Sequence, residues 1–127
     1  MMVVDTSALM AIVLDEAPAE ACMAALEAED RVLMSAGTLA ESLIVSRQRG
    51  VLAEVTTIVE TLRFEILSVT AATARRVAQS YARWGKNVHP AGLNFGDCFA
   101  YAAAKELACP LLFVGNDFAR TDIESVL

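Results

Sequence analysis

Four acidic residues occupy positions from which a carboxylate could bind a cation or take part in catalysis. Asp5 directly follows a short apolar run, and Asp97 follows a glycine where a helix is predicted to begin. Asp117 lies in a turn just after another apolar run. Glu41 lies among apolar neighbours inside a predicted helix, one turn beyond a break in the pattern. An acid in such surroundings is costly unless it is paired or coordinated.

The elements that would position these acids alternate between strands and helices. Short apolar runs predict strands at 1–4, 31–34, 64–69, 111–114 and 123–127, and helical periodicity predicts helices at 8–14, 19–29, 39–49, 52–62, 71–84 and 96–107. This order indicates one domain, residues 1–127, with a central parallel sheet of about five strands in a three-layer α/β/α arrangement.

Ligands of such folds bind beyond the carboxyl ends of the strands, so the four acids are expected to converge there. Each alone has an ordinary explanation, as a turn residue, a first-turn helix acid or an exposed side chain. Together they would repel, which raises carboxylate pKa values unless a cation holds them ionised. Such a donor set suits Mg²⁺ or Mn²⁺, and bound Mg²⁺ suits phosphodiester hydrolysis. His89, the one histidine, is a weaker candidate for a general base than for a plain loop residue.

The charge balance limits how this chain could bind nucleic acid. Sixteen acids against ten bases give a net charge of −6, which argues against binding through bulk positive charge but leaves contact with phosphate through a cation open. A cluster of bases between residues 75 and 86 would form a local basic patch able to steer RNA, or simply a solvated helix face. These bases are Arg75, Arg76, Arg83 and Lys86.

Several classes of protein are disfavoured by composition and by absent motifs. The chain is 56% apolar but has no run long enough to span a membrane, and its first residues lack the basic region of a signal peptide. A cytoplasmic protein is therefore expected. Three scattered cysteines predict neither disulfides nor a zinc site. No phosphate-binding loop, dinucleotide fingerprint or serine-nucleophile elbow is present.

Three segments resemble the PIN-domain nucleases, and within them the VapC-type toxins of toxin–antitoxin pairs. The opening Val-Val-Asp-Thr-Ser-Ala-Leu at 3–9 resembles the first motif, and Ala-Glu-Ser at 40–42 resembles the second acidic motif. The most specific match runs from residue 93 to 123, with Leu-Asn-Phe-Gly-Asp-Cys at 93–98 and Leu-Leu-Phe-Val-Gly-Asn-Asp-Phe at 111–118. The similarity spans essentially the whole chain.

The resemblance implies a Mg²⁺-dependent endoribonuclease that forms a homodimer and is blocked by a cognate VapB-type antitoxin. It implies that Asp5, Asp97 and Asp117 hold one or two Mg²⁺ ions, while Glu41 completes the cage or orients the attacking water. Asn116 is the alternative for the fourth position, or a contact to the metal or its water. Thr6 and Ser7 match hydroxyl positions that would orient the carboxylates.

Other functions also fit a small acidic α/β domain that binds Mg²⁺. A receiver-type phospho-switch would need a second acid after the first strand and a lysine near the last, and an aspartyl phosphatase would need a second aspartate two residues after Asp5. A catalytically silent PIN-fold binding module remains open, although four retained acids argue against it. Loss of RNA cleavage in EDTA separates the nuclease from all three.

Overall fold

The computed structural model describes residues 1–127 and contains four strands and six α-helices. In chain order these are β1 (Met2–Val4), α1 (Thr6–Val13), α2 (Ala19–Ala28), β2 (Val32–Ser35), α3 (Ala36–Gln48), α4 (Leu52–Thr61), β3 (Glu65–Leu67), α5 (Ala71–Trp84), α6 (Phe95–Glu106) and β4 (Leu111–Leu112), followed by a 3₁₀ turn at Phe118–Arg120.

The strands form one parallel sheet in the order β3-β2-β1-β4. Alternate residues of the sheet face opposite sides, so Val3 packs in one apolar core and its neighbour Val4 packs in another. The first core includes residues of α5 and α6, and the second includes residues of α1, α2 and α4. The three-layer α/β/α arrangement is therefore confirmed.

The predicted fifth strand is reduced to a single bridge. Ser125 pairs in parallel with Leu111, where the Leu111 amide donates to the Glu124 carbonyl at 2.9 Å. The pairing does not extend along 123–127 because β4 itself is only two residues long. The C-terminal segment nevertheless closes the β4 edge of the sheet, in keeping with the expectation of about five strands.

The predicted helices all exist. The helices α2, α4 and α5 begin at the predicted residues, whereas α1, α3 and α6 begin earlier, α3 at Ala36 where residue 39 was predicted. The sequence predicted helices that start at residue 8 and at Gly96, whereas α1 begins at Thr6 with Asp5 as its N-cap and α6 begins at Phe95 with Asn94 as its N-cap. In both cases a side chain just upstream of the predicted start accepts a hydrogen bond from the first turn. As a result, the acids lie at helix starts as well as at strand ends.

Candidate active site

Asp5 is a buried carboxylate at the junction of β1 and α1, with 3% of its surface exposed. Its Oδ2 accepts hydrogen bonds from the Ser7 amide at 3.0 Å and from the Ser7 hydroxyl at 2.6 Å. Its Oδ1 is buried and has no hydrogen-bond partner. A buried carboxylate oxygen without a donor is rare, and it is free to bind a ligand.

Ser7 connects Asp5 to the neighbouring strand segment. Its hydroxyl proton goes to Asp5, and its oxygen accepts the Val114 amide at 3.0 Å just beyond β4. This single side chain therefore fixes the Asp5 carboxylate relative to the end of β4.

Asp97 is a half-buried acid in the first turn of α6. The Asn94 side chain accepts from the Asp97 amide at 2.8 Å, while Asp97 Oδ2 accepts from the Asn94 amide at 3.0 Å. This reciprocal capping box engages one carboxylate oxygen and leaves the other available.

Glu41 lies in the second turn of α3, and its side chain reaches the first residue of α1. Its Oε1 accepts a hydrogen bond from the Thr6 hydroxyl at 2.6 Å. The Ser42 hydroxyl lies 2.9 Å from the same Thr6 oxygen. Glu41 is therefore held in place, and it does not extend freely into solvent.

The carboxylates lie close enough to influence one another. Burial, opposed by the Ser7 hydrogen bonds and reinforced by the charges of Asp97 and Glu41, raises the pKa of Asp5 to about 7. Burial, together with the charges of Glu41 and Asp117, raises the pKa of Asp97 to about 6. The fold thus brings all four acids into one region of negative potential.

Asp117 and Asn116 are both exposed and follow β4. Asp117 precedes the 3₁₀ turn without a side-chain capping bond, and its charge acts on Asp97. The Asn116 side chain makes no hydrogen bond. The electrostatic contact favours Asp117 as the fourth acid, although its metal-binding role stays a prediction.

The donor chemistry fits a hard divalent cation, but the ligands do not form a finished cage. No group of three or more carboxylate, histidine or cysteine side chains is arranged to hold a metal ion directly. The donors available are oxygens alone, and the buried Asp5 Oδ1 has no hydrogen-bond partner. These residues fit Mg²⁺ held by a few carboxylates and several waters, which is its usual coordination in proteins.

Two of the four bases predicted to contact RNA, Arg76 and Arg83, line one pocket, and each lies beside an acid. Arg76 pairs with Glu106 at 2.6 Å, and Arg83 lies 3.7 Å from Asp122. Arg75 is exposed and forms no ion pair, whereas Lys86 lines a groove with Asn94 and Phe95. Asn94 is the N-cap residue of α6 that bonds Asp97, and RNA contact stays a prediction for all four bases.

His89 is engaged away from the acids. Its Nδ1 accepts the Ala91 amide at 3.0 Å, and its ring packs edge-on against Trp84 with centroids 4.6 Å apart. The favoured expectation, a plain loop residue, agrees with this packing.

Two neighbours of the site were not singled out from the sequence. Ser42 is fully buried beside Glu41, and a Cβ on Gly96 would overlap the Glu41 carboxylate, lying 2.6 Å from Glu41 Cδ. Each directly neighbours a predicted acid and stands inside a segment that resembles a family motif, but no role was assigned to either residue.

With fold and site described, comparison with known proteins gives the family. The family model described as PIN domain matches residues 2–124. The chain therefore belongs to the PIN domain family.

The relatives narrow the assignment to the VapC group. Ribonuclease VapC36 of Mycobacterium tuberculosis is 50% identical over 97% of this chain and 91% of its own length. Ribonuclease VapC30 of the same organism is 41% identical, with 98% of each chain covered. This chain is thus a VapC-type PIN domain, as its motifs predicted.

Solved structures confirm the fold independently. The M. tuberculosis VapC20 structure, described as a sarcin-ricin loop cleaving toxin, matches with a TM-score of 0.80 at 16% identity, covering 99% of this chain and 98% of that one. A chain of a toxin–antitoxin complex from Klebsiella pneumoniae matches with a TM-score of 0.71 at 18% identity, covering 96% and 93%. Separately, none of the helices has the length and apolar character needed to cross a membrane.

Proposed function

We propose that this protein is a Mg²⁺-dependent endoribonuclease that acts as the toxin of a toxin–antitoxin pair. Membership of the VapC group supports ribonuclease activity. The observation that carries the metal dependence is the buried Asp5 oxygen without a partner, placed where the charges of Glu41 and Asp97 also act. RNA as the substrate also implies that the protein works in the cytoplasm.

Each acidic side chain of the site has its own proposed role in metal binding or in orienting water. Asp5, Asp97 and Asp117 would hold Mg²⁺, which neutralises phosphate charge and lowers the pKa of bound water when present. Mn²⁺ would suit the same oxygen donors. Glu41 orients the attacking water. Ser7 fixes the Asp5 carboxylate by holding one oxygen with two hydrogen bonds, which leaves the other oxygen for the cation.

Cleavage of a defined RNA with and without EDTA tests this function. We expect cleavage in Mg²⁺, no cleavage in EDTA, and restoration when Mg²⁺ is added back. Asp5→Asn should be folded and inactive, while Asp30→Asn, a change at an exposed acid outside the site, should cleave like the wild type. Cleavage by Asp5→Asn at the wild-type rate, with contaminating nuclease excluded, would contradict the assignment. A wild type that is inert in Mg²⁺ and in Mn²⁺ would instead indicate a silent binding module.

We also infer an antitoxin partner that blocks the acidic region. Its support is the likeness to a chain from a toxin–antitoxin complex and the uncompensated negative charge around Asp5 and Asp97. A basic side chain, above all an arginine, would pair with these carboxylates and exclude the cation. Co-purification with a small protein encoded next to this one, together with loss of RNA cleavage in the complex, tests the inference.

A second copy of the chain is the partner we assign to the exposed apolar face around Phe95. Phe95 is 70% exposed and Ile44 is 60% exposed, and the two line one continuous surface with Phe99. Large apolar side chains on a surface of this kind mark protein interfaces. We expect a dimer by light scattering, and a monomer for Phe95→Ser combined with Ile44→Ser. A wild-type monomer at micromolar concentration would contradict the homodimer.

A further inference from the structure

The Glu41 carboxylate is held from two sides. On one side the Thr6 hydroxyl donates to Oε1 at 2.6 Å. On the other side Oε2 occupies the space that a side chain at position 96 would fill, so only glycine leaves room for it. The carboxylate is therefore confined between α1 and the first turn of α6.

The direction of the hydrogen bonds around Thr6 follows from proton counting. A hydroxyl has one proton to donate, and an ionised carboxylate can only accept. The 2.6 Å distance to Glu41 is that of a charge-assisted bond, whereas the Thr38 carbonyl lies 3.4 Å away. The Thr6 proton therefore goes to Glu41. Ser42, at 2.9 Å, must be the donor to Thr6.

Ser42 differs in this respect from the serine one turn further along α3. Ser46 is equally buried, with no exposed surface, but it donates to the Leu43 carbonyl of its own helix at 3.2 Å. Ser42 makes no hydrogen bond except the one to Thr6. Its hydroxyl thus serves the chain of hydrogen bonds that ends on Glu41, and it does not serve the helix.

We propose that Ser42 and Gly96 are positioning residues for Glu41: Ser42 aims and polarises the Thr6 hydroxyl, and Gly96 leaves the space that fixes the carboxylate beside Asp97. The catalytic consequence rests on the proposed ribonuclease function, while the geometry does not. A side chain fixed before the substrate arrives does not have to be ordered during the reaction, which favours the chemical step over substrate binding.

Ser42→Ala and its matched control Ser46→Ala test this chain of hydrogen bonds from Ser42 through Thr6 to Glu41, which we call the relay. Each removes one fully buried hydroxyl from the same helix, so similar changes in Tm are expected. For Ser42→Ala we expect kcat to fall about 10- to 100-fold, as is typical when a residue that orients an active-site ligand is lost, with an unchanged KM for RNA. Ser46→Ala should keep kcat within about threefold of the wild type. Thr6→Ser, which keeps the hydroxyl, should restore most of the activity that Thr6→Val loses.

Gly96→Ala tests whether the space at position 96 fixes the Glu41 carboxylate. The backbone at residue 96 suits any residue, and the added methyl would meet only the flexible end of Glu41, so the variant should fold. The Glu41 carboxylate must then leave its position, and kcat should fall at least as far as in Ser42→Ala.

Crystal structures of the metal-free variants give a readout that needs neither RNA nor activity. We expect Glu41 in one conformation in the wild type and in Ser46→Ala, and displaced or split between conformations in Ser42→Ala and Gly96→Ala. An unmoved Glu41 in Ser42→Ala would overturn the relay. Failure of the wild type to cleave RNA would overturn the proposed function while these structures still decide the positioning role.

Discussion

At the scale of single residues, Asp5 is the most unusual side chain of this protein. It is buried and acidic, and only one of its oxygens has partners. Ionising it in the folded protein is less favourable than in the unfolded chain, because burial and neighbouring charges raise its pKa from 3.8 to about 7. Ionised Asp5 therefore costs the metal-free protein free energy, mainly because the carboxylate is buried, and a bound cation would offset this cost.

The cost of ionising Asp5 predicts how metal-free stability depends on pH. The folded state binds the Asp5 proton more tightly than the unfolded state, so the contribution of Asp5 to stability is full below about pH 4 and is lost as pH rises through about 7. We expect metal-free Asp5→Asn to be more stable than the wild type at pH 8, by up to about 4 kcal/mol, with the difference vanishing near pH 4. Urea unfolding at pH 4, 6 and 8 measures it.

The matched control is Asp30→Asn, at an exposed acid outside the site. Its effect should stay within about 0.5 kcal/mol at every pH. A stability difference between Asp5→Asn and the wild type that does not change with pH would show that Asp5 is ionised without penalty, contrary to its burial.

The acids and the Thr6 and Ser7 hydroxyls that bond to them were predicted at this scale, whereas the roles of Ser42 and Gly96 were not. The strand-end position of Asp5 follows from residue type and order alone. The burial of Ser42 and the use of Gly96 as open space depend on how α1, α3 and α6 approach one another, which periodicity within each helix does not specify.

At the scale of elements, the start of α6 combines a structural and a functional task. Asp97 closes the capping box with Asn94 and also belongs to the acidic region. The predicted helix start at Gly96 lay one residue late, because the cap is an asparagine inside a stretch that reads as loop. Hydrophobic periodicity locates a helix body well but its first turn poorly.

Removing the cap separates these tasks. Asn94→Ala removes the acceptor of the Asp97 amide but keeps the Asn94 amide from which Asp97 Oδ2 accepts. It should lower the free energy of unfolding by about 1 kcal/mol and loosen the turn that carries the Asp97 carboxylate, so that cleavage needs more Mg²⁺. Thr70→Ala removes the N-cap bond of α5, where Thr70 accepts the Thr73 amide at 3.2 Å, and should cost about the same stability without changing the Mg²⁺ requirement. Unfolding curves and Mg²⁺ titrations of cleavage compare the pair. Equal Mg²⁺ requirements in the two variants would show that the cap does not orient Asp97.

At the scale of the whole molecule, a net charge of −6 must be reconciled with an RNA substrate. The four basic residues between positions 75 and 86 predicted a local basic patch. The sequence could not show that Arg76 and Arg83 face acids from α6 and the C-terminal segment. These partners are distant in the chain and come together only through tertiary packing. Lys86 has no such acidic partner and lies in the groove that contains Asn94 and Phe95.

Lys86→Ala should therefore weaken RNA binding more than Arg76→Ala does. We expect Kd to rise about threefold to tenfold for Lys86→Ala and the slope of log Kd against log salt to fall by about one, as for loss of one phosphate contact. Arg76→Ala should change Kd by less than about twofold, since its charge is already matched by Glu106. Binding measured at several salt concentrations with an uncleavable RNA decides between them. An equal rise in Kd for the two variants would indicate that Arg76 breaks its ion pair with Glu106 and contacts RNA.

The central claim is that folding gathers Asp5, Glu41, Asp97 and Asp117 into one site for a divalent cation. Electron paramagnetic resonance of Mn²⁺ titrated into the protein at pH 8 tests it most directly, because free and bound Mn²⁺ give distinct signals. We predict saturable binding of one or two Mn²⁺ ions to the wild type and to Asp30→Asn, displaced by Mg²⁺ and abolished in Asp5→Asn combined with Asp97→Asn. Unchanged binding in that double variant, or no saturable binding to the wild type, would contradict the account.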